Sequence, residues 1–90
     1  KTGGYKVGAG EVESSLLAHP DVVEAAVIGV PDDDLGERIV AVVVGDIGDP
    51  EELIEHVATT LSNHKRPREV RVVDELPRNA LGKVRKDQLR

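Results

Sequence analysis

Two kinds of apolar patterning share this chain. Residues 22–30, VVEAAVIGV, and 38–45, RIVAVVVG, are almost continuously apolar and rich in β-branched side chains, which predicts two strands covered on both faces or close to it. The polar stretch PDDDLGE between them is short, so an antiparallel hairpin is expected. Residues 49–61, DPEELIEHVATTL, change to a helical period, with Leu53, Ile54, Val57, Ala58 and Leu61 on one face. Asp49 is placed to cap that helix, Pro50 suits its first position, and Glu51 and Glu52 suit its first turn. An earlier helix is expected over about residues 11–18. There Val12 and Leu16 share a face, Glu11 and Glu13 lie near the positive end of the dipole, and Pro20 disfavours helix at His19. EVRVV, residues 69–73, alternates as a strand should, residues 84–90 have room for one or two helical turns, and Lys6 and Val7 for a short strand or turn. The sum is a compact α+β domain: a small, mostly antiparallel sheet with two main helices packed on it.

Composition limits what such a domain can do. Ninety residues make one small domain with a thin core. That core must be built from Val, Ile, Leu and Ala, because Phe, Trp, Met and Cys are absent and Tyr5 is the only aromatic residue. Without Cys there is neither a disulfide frame nor a thiolate zinc site, and His19, His56 and His64 lack metal-ligand spacing, so no metal site is expected. No apolar run approaches the roughly 20 residues of a membrane span, and no signal-peptide pattern is present. A cytoplasmic protein with no membrane contact is the expectation. The first residue is Lys, so the natural start need not be included.

The net charge of −5 is unevenly spread. Residues 1–63 carry thirteen acidic and three basic side chains, whereas residues 64–90 carry nine basic and four acidic. The C-terminal part therefore suits an anionic partner or is simply a solvated surface. Nucleic acid is not expected as that partner, because the basic stretch has no aromatics for base stacking and the chain as a whole is acidic. Within this stretch, PRNALGK places Gly82 and Lys83 side by side. It is not a phosphate-binding P-loop, since Pro77 stands where the first Gly is required and Val84 where a Ser or Thr would meet magnesium. An ammonium beside a glycine can bridge several oxygens as charge develops on them, but a surface turn carries the same residues. The glycine-rich start, KTGGYKVGAGE, has no preceding strand for a dinucleotide fingerprint; its Gly3 and Gly4 permit close approach by another chain, or only a flexible turn. PDDDLGE lacks the spacing of a calcium loop. On residues alone, a stand-alone α+β module binding an anionic ligand, without enzymatic activity, remains an alternative.

Three segments taken together, KTGGYKVGAGEVE, LLAHPDVVEAAVIGVPDDDLGERIVAVVV and HKRPREVRVVDELPRNALGKVRKDQL, resemble the C-terminal domain of acyl- and aryl-CoA synthetases of the adenylate-forming superfamily. That superfamily also includes the amino-acid-activating domains of peptide synthetases and firefly luciferase. The resemblance covers essentially all of residues 1–90, and its wording is most similar to malonyl- and methylmalonyl-CoA synthetases. It implies an AMP-forming acid–thiol ligase that makes an acyl-adenylate from a carboxylate and ATP, then passes the acyl group to CoA. This chain would be the mobile C-terminal lid, inactive in isolation. The large N-terminal domain that binds ATP, Mg2+ and the acyl group would lie outside it as its main partner. The resemblance makes Lys83 the catalytic lysine of adenylation, a nucleotide contact, and a target of a lysine acetyltransferase and deacetylase. It turns Gly3, Gly4 and Tyr5 toward the pantetheine arm of CoA and Lys6 toward a phosphate, with Gly82 and Glu11 supporting the two loops. Lys65, Arg66 and Arg68 are expected, from charge, near CoA phosphates. The acyl substrate is expected to be a small carboxylic acid, malonate or methylmalonate.

Overall fold

The computed structural model describes residues 9–34, 36–61 and 65–89. Helix α1 (Ala9–Leu17) leads into strand β1 (Val22–Asp32), strand β2 (Gly36–Gly45), helix α2 (Pro50–Thr60) and strand β3 (Glu69–Val72), with a closing 3-10 turn at Lys86–Gln88. The expected elements that fall on described residues are all present, their ends within about two residues of expectation, and the short strand or turn expected at Lys6 and Val7 lies outside the described residues. At 84–90 the expected helix is only that single 3-10 turn.

Local chemistry accounts for the element ends. Asp49 holds the extended conformation of an N-cap and its side chain accepts the Glu51 N–H at 3.0 Å, so α2 begins at Pro50. In the polar turn between the strands the Asp32 carboxylate accepts the Asp34 N–H at 2.9 Å, a local bond that reverses the chain into the hairpin. Strands β1 and β2 then pair antiparallel from Asp32↔Gly36 to Val22↔Gly45.

The ladder is irregular at one place. Register shifts between Val22 and Glu24, leaving Val23 as an extra residue, a bulge in the edge strand. The bulge resets side-chain phase, so Val22 shares a face with Ala25 and Val27 although their spacings from it are odd. Opposite it sits Gly45. A Cβ there would lie 2.1 Å from the Asp21 carbonyl oxygen, so the close approach of two backbones demands glycine.

The sheet order is β1-β2-β3, with β3 joined to β2 in parallel (Val40↔Glu69 to Val43↔Val72). A parallel partner needs a crossover, and α2 is that crossover. The central strand β2 is buried on both faces, as its apolar run predicts. One face of it, Ile39, Ala41 and Val43, packs with Val12 and Leu16 of α1 and with Leu53 and Val57 of α2. The other, Val40 and Val42, joins Ala26, Ile28 and Leu76 in a second cluster, against which Val73, Val84 and Leu89 pack. Both helices thus lie on one face. The second face is covered by the irregular C-terminal segment, and this positions the site.

Candidate functional site

Leu76 is buried in the second cluster, and Val84 and Leu89 rest against it, so the chain between them is pinned at both ends. Residues 77–85 form a small hairpin over this anchor. Its strands meet in an antiparallel bridge, Arg78↔Val84, and the Arg85 N–H donates to the Pro77 carbonyl at 2.7 Å. The turn is Asn79, Ala80, Leu81, Gly82. The Gly82 N–H donates to the Asn79 carbonyl and the Asn79 N–H to the Lys83 carbonyl, both at 2.9 Å. The Asn79 side-chain oxygen accepts the Leu81 N–H at 2.9 Å and the Lys83 N–H at 3.0 Å. Gly82 lies at φ +84°, in the left-handed region, and a Cβ built there would touch nothing within 4 Å. Glycine is used here for backbone conformation, not for lack of room. Arg78 ties the hairpin to the sheet: its guanidinium donates to the Gly82 carbonyl at 2.8 Å and pairs with the Glu24 carboxylate of β1.

Alternation across this hairpin turns Val84 toward the sheet and leaves Lys83 exposed. Lys83 lines an open cleft of about 560 Å³ with Glu13, Ala25, Ala26, Val84, Lys86 and Asp87. The other charges of the cleft are engaged. The Glu13 carboxylate accepts the Val27 N–H and the Lys86 ammonium, each at 2.8 Å, and Asp87 pairs with Arg85 at 3.2 Å. Lys83 makes no ion pair among the described residues. The cleft therefore presents one uncommitted ammonium on a braced hairpin, above an apolar floor of Ala25, Ala26 and Val84. Chemically, such a group stabilises oxygen atoms that gain negative charge.

The other expected site residues fall elsewhere. Glu11, exposed on α1, accepts from the Lys65 ammonium at 2.6 Å, so two residues expected in different roles are paired with each other. Arg66 is half-buried and Arg68 exposed. Arg68 lines a separate cavity of about 270 Å³ with Asp32, Asp34 and Arg38. None of Lys65, Arg66 and Arg68 lines the Lys83 cleft. Gly3, Gly4, Tyr5 and Lys6 lie outside the described residues. Sequence reasoning passes over Asn79, Arg78 and Glu24, although Asn at the first and Gly at the fourth position of the turn NALG, residues 79–82, is a turn signal in plain view. Among the described residues no group of three or more His, Cys, Asp or Glu side chains is placed to hold a metal ion, and no helix is long and apolar enough to cross a membrane.

A small sheet with two helices on one face and a lysine-bearing hairpin across the other defines a domain class with known members. Residues 11–83 match the AMP-binding enzyme C-terminal domain, and the chain belongs to that family. Among curated relatives, the mitochondrial malonate–CoA ligases of Mus musculus and Homo sapiens are 47% and 48% identical over 92 residues, which is 99% of this chain and 16% of each relative. The 4-hydroxybutyrate–CoA ligase 1 of Metallosphaera sedula is 46% identical over 96 residues and the chain covers 17% of it. Among solved structures, apo MatB from Rhodopseudomonas palustris superposes with a TM-score of 0.93 at 47% identity, over 99% of this chain and 18% of that one. The chain thus spans about one sixth of the length of the curated relatives it matches.

Proposed function

We propose that this chain is the C-terminal domain of an AMP-forming acyl-CoA ligase and that Lys83 is its adenylation lysine. The observation that carries this is the uncommitted ammonium of Lys83, held on a braced hairpin at the end of the family-matched segment. In the first step a substrate carboxylate oxygen attacks the α-phosphorus of ATP. The new P–O bond forms as the bond to the bridging oxygen breaks, and pyrophosphate leaves. Charge passes from the carboxylate to the phosphate oxygens, and a point cation between them stabilises that redistribution. In the second step the CoA sulfur attacks the acyl carbon, the C–O bond to AMP breaks, and the thiol proton passes to solvent or a base. ATP, the acyl group and Mg2+ are assigned to a larger partner domain of the same protein. Gly3, Gly4 and Tyr5 are assigned to the path of the pantetheine arm and Lys6 to a phosphate. In this reading the C-terminal domain must occupy different poses for the two steps, so the hairpin is rigid while the domain moves.

The malonate–CoA ligases among the relatives support malonate, or its methyl derivative, as the acid. The test is acid-dependent exchange of pyrophosphate into ATP by the full-length protein. Exchange is expected with malonate or methylmalonate in preference to acetate, and its loss is expected in Lys83→Ala. Exchange driven by acetate alone would remove the substrate assignment, and undiminished exchange in Lys83→Ala would remove the role of the lysine.

A further inference from the structure

We propose that Asn79 is a positioning residue that sets the direction of the Lys83 side chain, an inference that rests on the adenylation reading of Lys83. Four hydrogen bonds converge on this one residue. Its N–H donates to the Lys83 carbonyl, its carbonyl accepts from Gly82, and its Oδ1 accepts from both Leu81 and Lys83. The amide N–H and the carbonyl of Lys83 are therefore both tied to Asn79, at 3.0 and 2.9 Å. Holding both polar backbone groups of a residue fixes its φ and ψ, and with them its Cα–Cβ direction.

Packing does not do this work. Asn79, Ala80, Leu81, Gly82 and Lys83 are all exposed, and Leu81 at the tip is 91% exposed. The apolar anchors, Leu76 and Val84, lie outside the turn. Within the turn the shape is held by hydrogen bonds alone, and in water those compete with solvent at about 1 kcal/mol each. Losing the side-chain acceptor leaves the Leu81 and Lys83 N–H groups to water. The Gly82 N–H on the Asn79 carbonyl, the Asn79 N–H on the Lys83 carbonyl and the Arg78 guanidinium on the Gly82 carbonyl still close the turn, but the Lys83 N–H is released and the lysine sweeps a wider cone. A cation that acts on developing charge depends steeply on such placement. Asn and Asp both carry an acceptor at the required reach, whereas Ala removes it.

Full-length wild-type protein, Asn79→Ala, Asn79→Asp and Lys83→Ala test this. Asn79→Ala is expected to lower kcat of ATP–pyrophosphate exchange by on the order of 10- to 100-fold. KM for ATP and for the acid should stay within about twofold, since ground-state binding is untouched. Thioester formation from pre-made acyl-adenylate and CoA should keep its wild-type rate. Hydrogen exchange of the amides of residues 81–83 should quicken in Asn79→Ala and stay protected in Asn79→Asp, which keeps the acceptor. Lys83→Ala separates the two ideas. If it abolishes exchange while Asn79→Ala retains wild-type kcat, the positioning role is wrong and the lysine assignment stands. If Lys83→Ala itself keeps exchange, both fall. Equal loss of both half-reactions in Asn79→Ala would also overturn the proposal, because it would mark a merely structural residue.

Discussion

Gly82 offers a clean test of what a glycine beside the key lysine is for. Two explanations compete: glycine keeps the approach to Lys83 open, or glycine adopts a backbone conformation other residues resist. Its φ of +84° lies in the left-handed region, and a Cβ there meets nothing within 4 Å. Gly82→Ala should therefore meet no clash, and its cost is conformational. Placing an L-residue in this region costs roughly 1–2 kcal/mol. Against this, alanine narrows the unfolded chain and returns about 0.4–1 kcal/mol. The net is about 1 kcal/mol, a roughly fivefold rise in opening of the hairpin. Asn tolerates left-handed backbone better than Ala despite its larger side chain. The assay is hydrogen exchange at the Gly82 and Arg85 amide positions, which donate across the turn to Asn79 and Pro77, in full-length wild type, Gly82→Ala and Gly82→Asn. Exchange should rank wild type slowest, then Asn, then Ala. A ranking by volume, with Asn faster than Ala, would refute the conformational argument and favour open space as the reason for glycine.

Gly45→Ala should destabilise the domain by about 2–3 kcal/mol, because its Cβ would meet the Asp21 carbonyl and backbone cannot yield as a side-chain end can. Gly48→Ala, with nothing within 4 Å, is the control, and denaturant melts of the two variants measure the difference. Glu69 is held below the usual carboxylate value of 4.5, chiefly by a hydrogen bond from Arg71 with Arg38 adding to it. Its folded form binds its proton less readily than the unfolded form. Its stabilising contribution is thus present above about pH 4.5 and is lost as pH falls through the lower, folded value. The effect is modest and salt-sensitive because the pair is substantially exposed, and Glu69→Gln should flatten that acid limb in a pH series of thermal melts. Acetylating Lys83 removes the only uncommitted charge among the described cleft residues, so the modified protein should lose acid-dependent exchange, and deacetylation should restore it.

Much of the fold was legible because each signal was local. Asp49 and Pro50 mark the start of α2, and the apolar run 38–45 marks a strand buried twice over. The parallel attachment of β3 was not legible, since EVRVV alternates identically whichever neighbour it joins, and only the crossover through α2 sets its direction. Nor was the cover of the second face. Leu76, Leu81, Val84 and Leu89 follow no helical or strand period, and burial separates them in a way spacing does not reveal. Leu76 enters the core while Leu81 stands in solvent. Within the site, Lys83 was legible as a type of residue in a type of context. The brace of Asn79, and of Arg78 reaching back to Glu24, depends on two distant segments meeting.

The central claim is that Lys83 serves adenylation and not the transfer to CoA. The most direct measurement supplies the full-length Lys83→Ala protein with pre-made acyl-adenylate and CoA and follows thioester formation beside its ATP–pyrophosphate exchange. The account predicts that exchange falls by on the order of 100-fold or more while thioester forms at the wild-type rate. Equal loss in both reactions, or survival of both, would contradict it.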